Sequence, residues 1–81
     1  MQKRLKIIEL LAQANELGEV VISLCQRCQV MQQQADEAAD ETDTLLYLAM
    51  EKGIELAIDD IEKRQKSYYH AAELLEAELD E

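Results

Sequence analysis

The chain runs 81 residues without a proline, and its two glycines, Gly18 and Gly53, stand alone. Proline and glycine are the strongest local breakers of regular structure, so little here would stop a helix once it has begun. Ala, Leu, Glu and Gln recur throughout, and all are good helix formers. Ile7, Leu10, Ala14, Leu17, Val21, Leu24, Cys28, Met31, Ala35 and Ala38 follow at spacings of three and four in strict alternation. That pattern is one stripe of a helix packed against another helix. Ile8, Leu11, Ile22 and Cys25, with Val20 beside them, form a second apolar line. The face is then wider than one neighbouring helix covers.

The second half repeats the pattern through Tyr47, Met50, Ile54, Ala57, Ile61, Tyr68, Ala72, Leu75 and Leu79, interrupted where Gln65 falls on the stripe. It predicts one helix over about residues 44–79. Between the halves lies an acidic stretch, residues 36–44, in which Thr42, Asp43 or Thr44 would cap the second helix by accepting its free backbone N–H groups. No alternation of period two marks a strand. The expected fold is all-α, a single domain over residues 1–81 built as a long helical hairpin. So short a chain buries little apolar surface by itself, and two cysteines are too few for a disulfide framework. The wide faces therefore predict that copies assemble, most simply as a dimer, into a bundle of four or more helices.

Charge narrows the partners. Eighteen acidic side chains against eight basic ones leave a formal net charge of −10, which argues against direct binding to nucleic-acid phosphates or to anionic membranes. Cations, basic protein surfaces and metal-borne nucleotides remain. No stretch approaches the ~20 consecutive apolar residues of a membrane span, and no basic start followed by an apolar run marks a leader, so a cytoplasmic setting is expected. The terminal turn, residues 76–81, is acidic at a helix C-terminus and is expected to fray.

The acids are clustered. Glu16 and Glu19 stand at i and i+3, side by side on a helix, and Asp36, Glu37, Asp40, Glu41 and Asp43 crowd the turn. Carboxylate pairs on facing helices suit Mg²⁺, a hard cation that takes oxygen ligands and commonly bridges carboxylates to substrate phosphates. The same residues would equally make a solvated acidic face, with the turn acids favoured by the dipole of the second helix.

The pieces Glu16-Leu-Gly-Glu19 with Val20-Val-Ile22, Glu37-Ala-Ala-Asp40, Leu45-Leu-Tyr-Leu48, Lys52-Gly-Ile-Glu-Leu56 and Asp59-Asp-Ile-Glu-Lys-Arg64 occur in this order. In this the chain resembles, over about residues 13–66, the all-α nucleoside triphosphate pyrophosphatases, the superfamily of MazG and phosphoribosyl-ATP pyrophosphatase. The resemblance implies a Mg²⁺-dependent nucleotide pyrophosphohydrolase working as an oligomeric helical bundle. Glu16 and Glu19 match the family's first acid pair and Glu37 and Asp40 the second, with Asp40 and Asp43 a competing second pair. In that reading these acids hold Mg²⁺ and orient water, and Lys63, Arg64 or Lys66 steadies the departing pyrophosphate. Against it, three residues separate Asp40 from Thr44 where the family's pattern has none.

A geometric condition follows. On one unbroken helix Glu19 and Glu37 lie about 27 Å apart. A site shared by both pairs needs a break between about residues 28 and 34, or a second subunit. A continuous hairpin would favour two readings in which no catalysis occurs: an acidic helical protein that occupies a basic partner surface, as an inhibitor or nucleic-acid mimic, or a structural or regulatory oligomer.

The other reactive side chains read as structural. Cys25 and Cys28 have the spacing of half a zinc site, but both fall on apolar lines and His70 is the only further soft ligand, so buried, inert thiols are expected. Tyr47 and Tyr68 lie on the stripe and read as core residues with hydroxyls at the rim.

Overall fold

In the computed structural model, which describes residues 2–79, the chain forms two helices, α1 (Gln2–Glu37) and α2 (Glu41–Leu79). They lie antiparallel as a hairpin 62 Å long and about 14 Å across, with no strand among the described residues. Of the turn expected to fray, residues 76–79 are helical as the end of α2, and Asp80 and Glu81 lie outside the described residues.

α1 keeps the stripe read from its sequence. Ile7, Leu10, Ala14 and Ala35 are buried, and Leu17, Val21, Leu24, Cys28, Met31 and Ala38 are half-buried. The helix continues without interruption through residues 28–34, so the break that a single-chain metal site would need does not occur. No Gly or Pro stands in that segment, and Cys28, Met31 and Ala35 keep the stripe on the inner face, which leaves no physical reason to bend.

α2 departs from expectation in two ways. It begins three residues earlier, and its cap is Asp40 rather than Thr42, Asp43 or Thr44. The Asp40 Oδ1 accepts the N–H of Thr42 at 3.1 Å, while the Asp40 carbonyl accepts the N–H of Thr44 at 3.0 Å and its hydroxyl at 3.2 Å. Capping from Asp40 also leaves Glu41 and Asp43 in the first turn, where the helix dipole favours negative charge. The second departure is the inner stripe, which runs Tyr47, Glu51, Ile54, Ile58, Ile61, Gln65, Tyr68, Ala72 and Leu75. Met50, Ala57 and Leu79, expected on it, are exposed.

The polar members of that stripe are paired. Gln65 Nε2 donates to the Ala14 carbonyl at 3.0 Å. Gly18 leaves room for it: it sits one turn beyond Ala14, where a Cβ would crowd Gln65 Nε2 at 3.0 Å. Glu51 Oε1 accepts Gln32 Nε2 at 2.7 Å, and its carbonyl accepts the Cys28 thiol at 3.7 Å. At the open end Ile7, Leu10 and Ala72 pack together with Leu11, Tyr68, Ala71 and Leu75, and an exposed Lys3–Glu78 ion pair at 3.1 Å closes the rim. No helix among the described residues is long and apolar enough to cross a membrane.

Candidate functional site

Four of the acids that stood out in the sequence, Glu16, Glu19, Glu37 and Asp43, line hollows along one side of the hairpin. Glu16 and Glu19, both exposed, line an open hollow with Val20, Ser23, Leu24 and Arg27. Leu24 and Arg27 then continue into a more apolar groove of about 380 Å³, completed by Met31 from α1 and by Met50, Gly53, Ile54 and Ala57 from α2. One helical turn further on, Glu37 and Asp43 face a third hollow beside Gln34, Ala38 and Tyr47. The apolar groove is thus flanked by acids at both ends. Glu19 and Glu37, 18 residues apart on α1, are separated by about five full turns, which gives them the same bearing and an axial spacing of about 27 Å.

Within one chain the two acid pairs do not meet. No group of three or more His, Cys, Asp or Glu side chains among the described residues is placed to hold a metal ion. Glu37 and Asp43 do share a hollow, but Glu37 accepts a hydrogen bond from Gln33 at 3.1 Å and Asp40 is engaged in capping α2. Lys63 and Arg64 are exposed, and no carboxylate among the described residues lies within ion-pair range of either. The two helices face each other so that contacting residue numbers add to about 80, as Lys3 with Glu78, Ala14 with Gln65 and Cys28 with Glu51 show. Arg64 therefore stands at the level of Glu16, two turns beyond Ala57 on the same side of α2.

The cysteines divide. Cys28 lies on the inner stripe as expected, whereas Cys25 is exposed, because a single partner helix covers only part of the wide face. Desolvation, with the negative charges of Glu55 and Glu51 and the neighbouring Cys25, holds the Cys28 thiol above the ordinary range, so at neutral pH it is protonated and a poor nucleophile. His70 is exposed, and the Tyr69 hydroxyl donates to Asn15 Oδ1 at 3.3 Å. Tyr47 and Tyr68 are half-buried.

Sequence reasoning missed the groove. It assigned Met50 and Ala57 to the helix–helix seam, whereas they form the groove's α2 wall. The missed signal was Ile58, seven residues before Gln65 and fourteen before Ala72, which continues their line in place of Ala57. No known protein family, curated protein or solved structure matches the chain.

Proposed function

We propose that this chain is a helical interaction protein without catalysis of its own, presenting the groove side of the hairpin to another helical surface and its acidic turn to a basic one. The observation that carries the reading is the unbroken α1, which keeps Glu16 and Glu19 about 27 Å or more from Glu37 while leaving Met50, at 46% exposure, and its apolar neighbours open to a partner. An open apolar groove rimmed by charge suits a protein partner, with apolar side chains at the centre of the contact and polar ones at its rim. The charge of −10 favours a basic partner and disfavours nucleic acid.

A second reading is the Mg²⁺-dependent nucleoside triphosphate pyrophosphohydrolase suggested by the family resemblance. What favours it is that Glu16, Glu19, Glu37 and Asp43 all border the same side of the hairpin, so a second subunit laid on that side would bring acids from two chains together. Lys63 and Arg64 would then act on the leaving phosphates. One assay separates the readings: pyrophosphate release from a panel of nucleoside triphosphates with Mg²⁺, for the natural chain and for Glu19→Ala. The interaction reading expects no release from either. Release that falls at least about a hundredfold on Glu19→Ala would replace it with the enzyme.

A further inference from the structure

We infer that the occupant of the apolar groove is a second copy of this chain, laid antiparallel across it with a two-fold axis passing between Arg27 and Cys28 of α1 and between Gly53 and Ile54 of α2. The inference rests on the interaction reading above and supplies its partner.

Surface area gives the first argument. The hairpin exposes 6310 Å². A folded monomer of 9.3 kDa exposes about 5,000 Å². The excess, about 1,300 Å² per chain, exceeds the roughly 800 Å² per partner of a standard interface and falls within the range of permanent homodimers. Pairing two rods side by side removes surface of this order and yields a four-helix bundle.

Shape gives the second. An axis at this level sets Leu24 of one copy over the partner's Met31, and Met50 over the partner's Ala57, so a large side chain meets a small one on α2. At the centre lies Gly53, an exposed glycine in the interior of a helix with nothing within 4 Å of where its Cβ would be. Glycine there costs about 1 kcal/mol of helix stability relative to alanine, and no contact within the chain requires it. A helix approaching closely from outside does.

Charge decides the orientation. A parallel pairing would stack the turn cluster, Asp36, Glu37, Asp40, Glu41 and Asp43, on its own copy. The antiparallel pairing holds the two clusters about 36 Å apart, several Debye lengths at physiological salt. It also sets Asp43 of each copy level with the partner's Arg64, both on the groove side. Glu16 and Glu19 then come level with the partner's Glu37, and Arg27 lies beside its own copy at the axis, repulsions that the Asp43–Arg64 pairs partly offset. Of the two arrangements, the antiparallel one is therefore the less repulsive.

The test is a nitroxide label at Ala39→Cys, in the exposed turn, in a Cys25→Ser/Cys28→Ala background, read by pulsed dipolar spectroscopy. The antiparallel dimer gives one interspin distance of about 36 Å plus the label arms. A distance below about 20 Å, the width of two packed hairpins, would mean parallel pairing and overturn the proposal. Light scattering of the unlabelled natural chain guards against damage from the substitutions. Twice the chain mass is expected at about 100 µM, with helicity intact, and Met50→Glu should weaken association at least tenfold without loss of helix. A monomer, or an assembly larger than a dimer, would equally overturn it. Pyrophosphate release is read in a separate assay, so the self-pairing can fail while the interaction reading stands.

Discussion

The two halves of the hairpin use the same helical stripe in different ways. At the open end, Ile7, Leu10 and Ala72 are buried with Tyr68, Leu75 and their neighbours against them, and Ala14 is fully covered. Small residues at Ala14 and Ala72 let the backbones approach, and larger ones fill the space around them. Toward the turn, nothing between Asn15 and Gln34 of α1 is buried, although Leu17, Val21, Leu24 and Met31 continue the stripe without a gap. The facing positions on α2 include Glu51, whose polar side chain turns outward to Gln32, and the apolar Met50 and Ala57 lie just off the stripe. An equally regular pattern thus yields a core in one half and a half-covered groove in the other. The difference lies in what the opposing helix offers at each level.

That contrast can be broken by substitution. The largest effect belongs to the open end: Leu10→Ala should cost about 2–4 kcal/mol in urea denaturation, the usual range for a buried leucine. Leu24→Ala in the groove should cost less than about 1 kcal/mol when the chain is dilute, because its side chain is only half covered there. Equal costs at the two sites under dilute conditions would mean the halves are equally packed. A cost at Leu24 that grows with protein concentration would instead sharpen the contrast, since that side chain would then be buried by association.

The two glycines give a smaller effect of opposite expectation. Gly53→Ala, with open space around it, should stabilise the dilute hairpin by about 0.5–1 kcal/mol through helix propensity. Gly18→Ala gains the same propensity but displaces Gln65 from the Ala14 carbonyl, a hydrogen bond worth about 0.5–1.5 kcal/mol, so its net change should be near zero or unfavourable. Thermal melts of both variants at low concentration check this. A stabilisation at Gly18 as large as that at Gly53 would show that the Gln65 contact contributes little.

The smallest effect is chemical. At neutral pH an alkylating reagent should modify exposed Cys25 well before Cys28, and Cys28 should begin to react only at a pH above that of an ordinary thiol. The sign follows from its causes. Desolvation and the Glu55 and Glu51 charges disfavour the thiolate in the folded chain, so any contribution of this group to stability falls as pH rises past the thiol's unfolded value. Equal labelling rates for the two cysteines would mean the turn half opens freely.

Much of this was legible in the residues. The stripe of α1 emerged position by position, because its small and aliphatic side chains leave one alternation of three and four and no breaker interrupts it. The stripe of α2 was ambiguous. Tyr47, Ile54, Ile61 and Tyr68 belong to two possible lines, one through Met50 and Ala57 and the other through Glu51 and Ile58. Hydrophobicity favours the first. The hairpin takes the second, in which Glu51 accepts from Gln32 and Gln65 reaches the Ala14 carbonyl. The cap was ambiguous for a different reason. Several residues in the turn carry a suitable oxygen, and the chain's reversal selects Asp40. As for the acid pairs, sequence spacing set Glu19 and Glu37 about 27 Å apart on an unbroken helix but could not decide whether the helix breaks between them.

By itself, then, the sequence determined that the chain is helical, where it turns, and which face of α1 is apolar, because these follow from local propensity, charge and periodicity. Only the tertiary structure decided which line of α2 faces inward, that α1 stays straight through residues 28–34, and that Met50 and Ala57 are left as the wall of a groove. Those outcomes depend on how one helix's side chains fit the other's. A periodic pattern specifies which faces are apolar but not which of two neighbouring apolar lines the partner helix will cover.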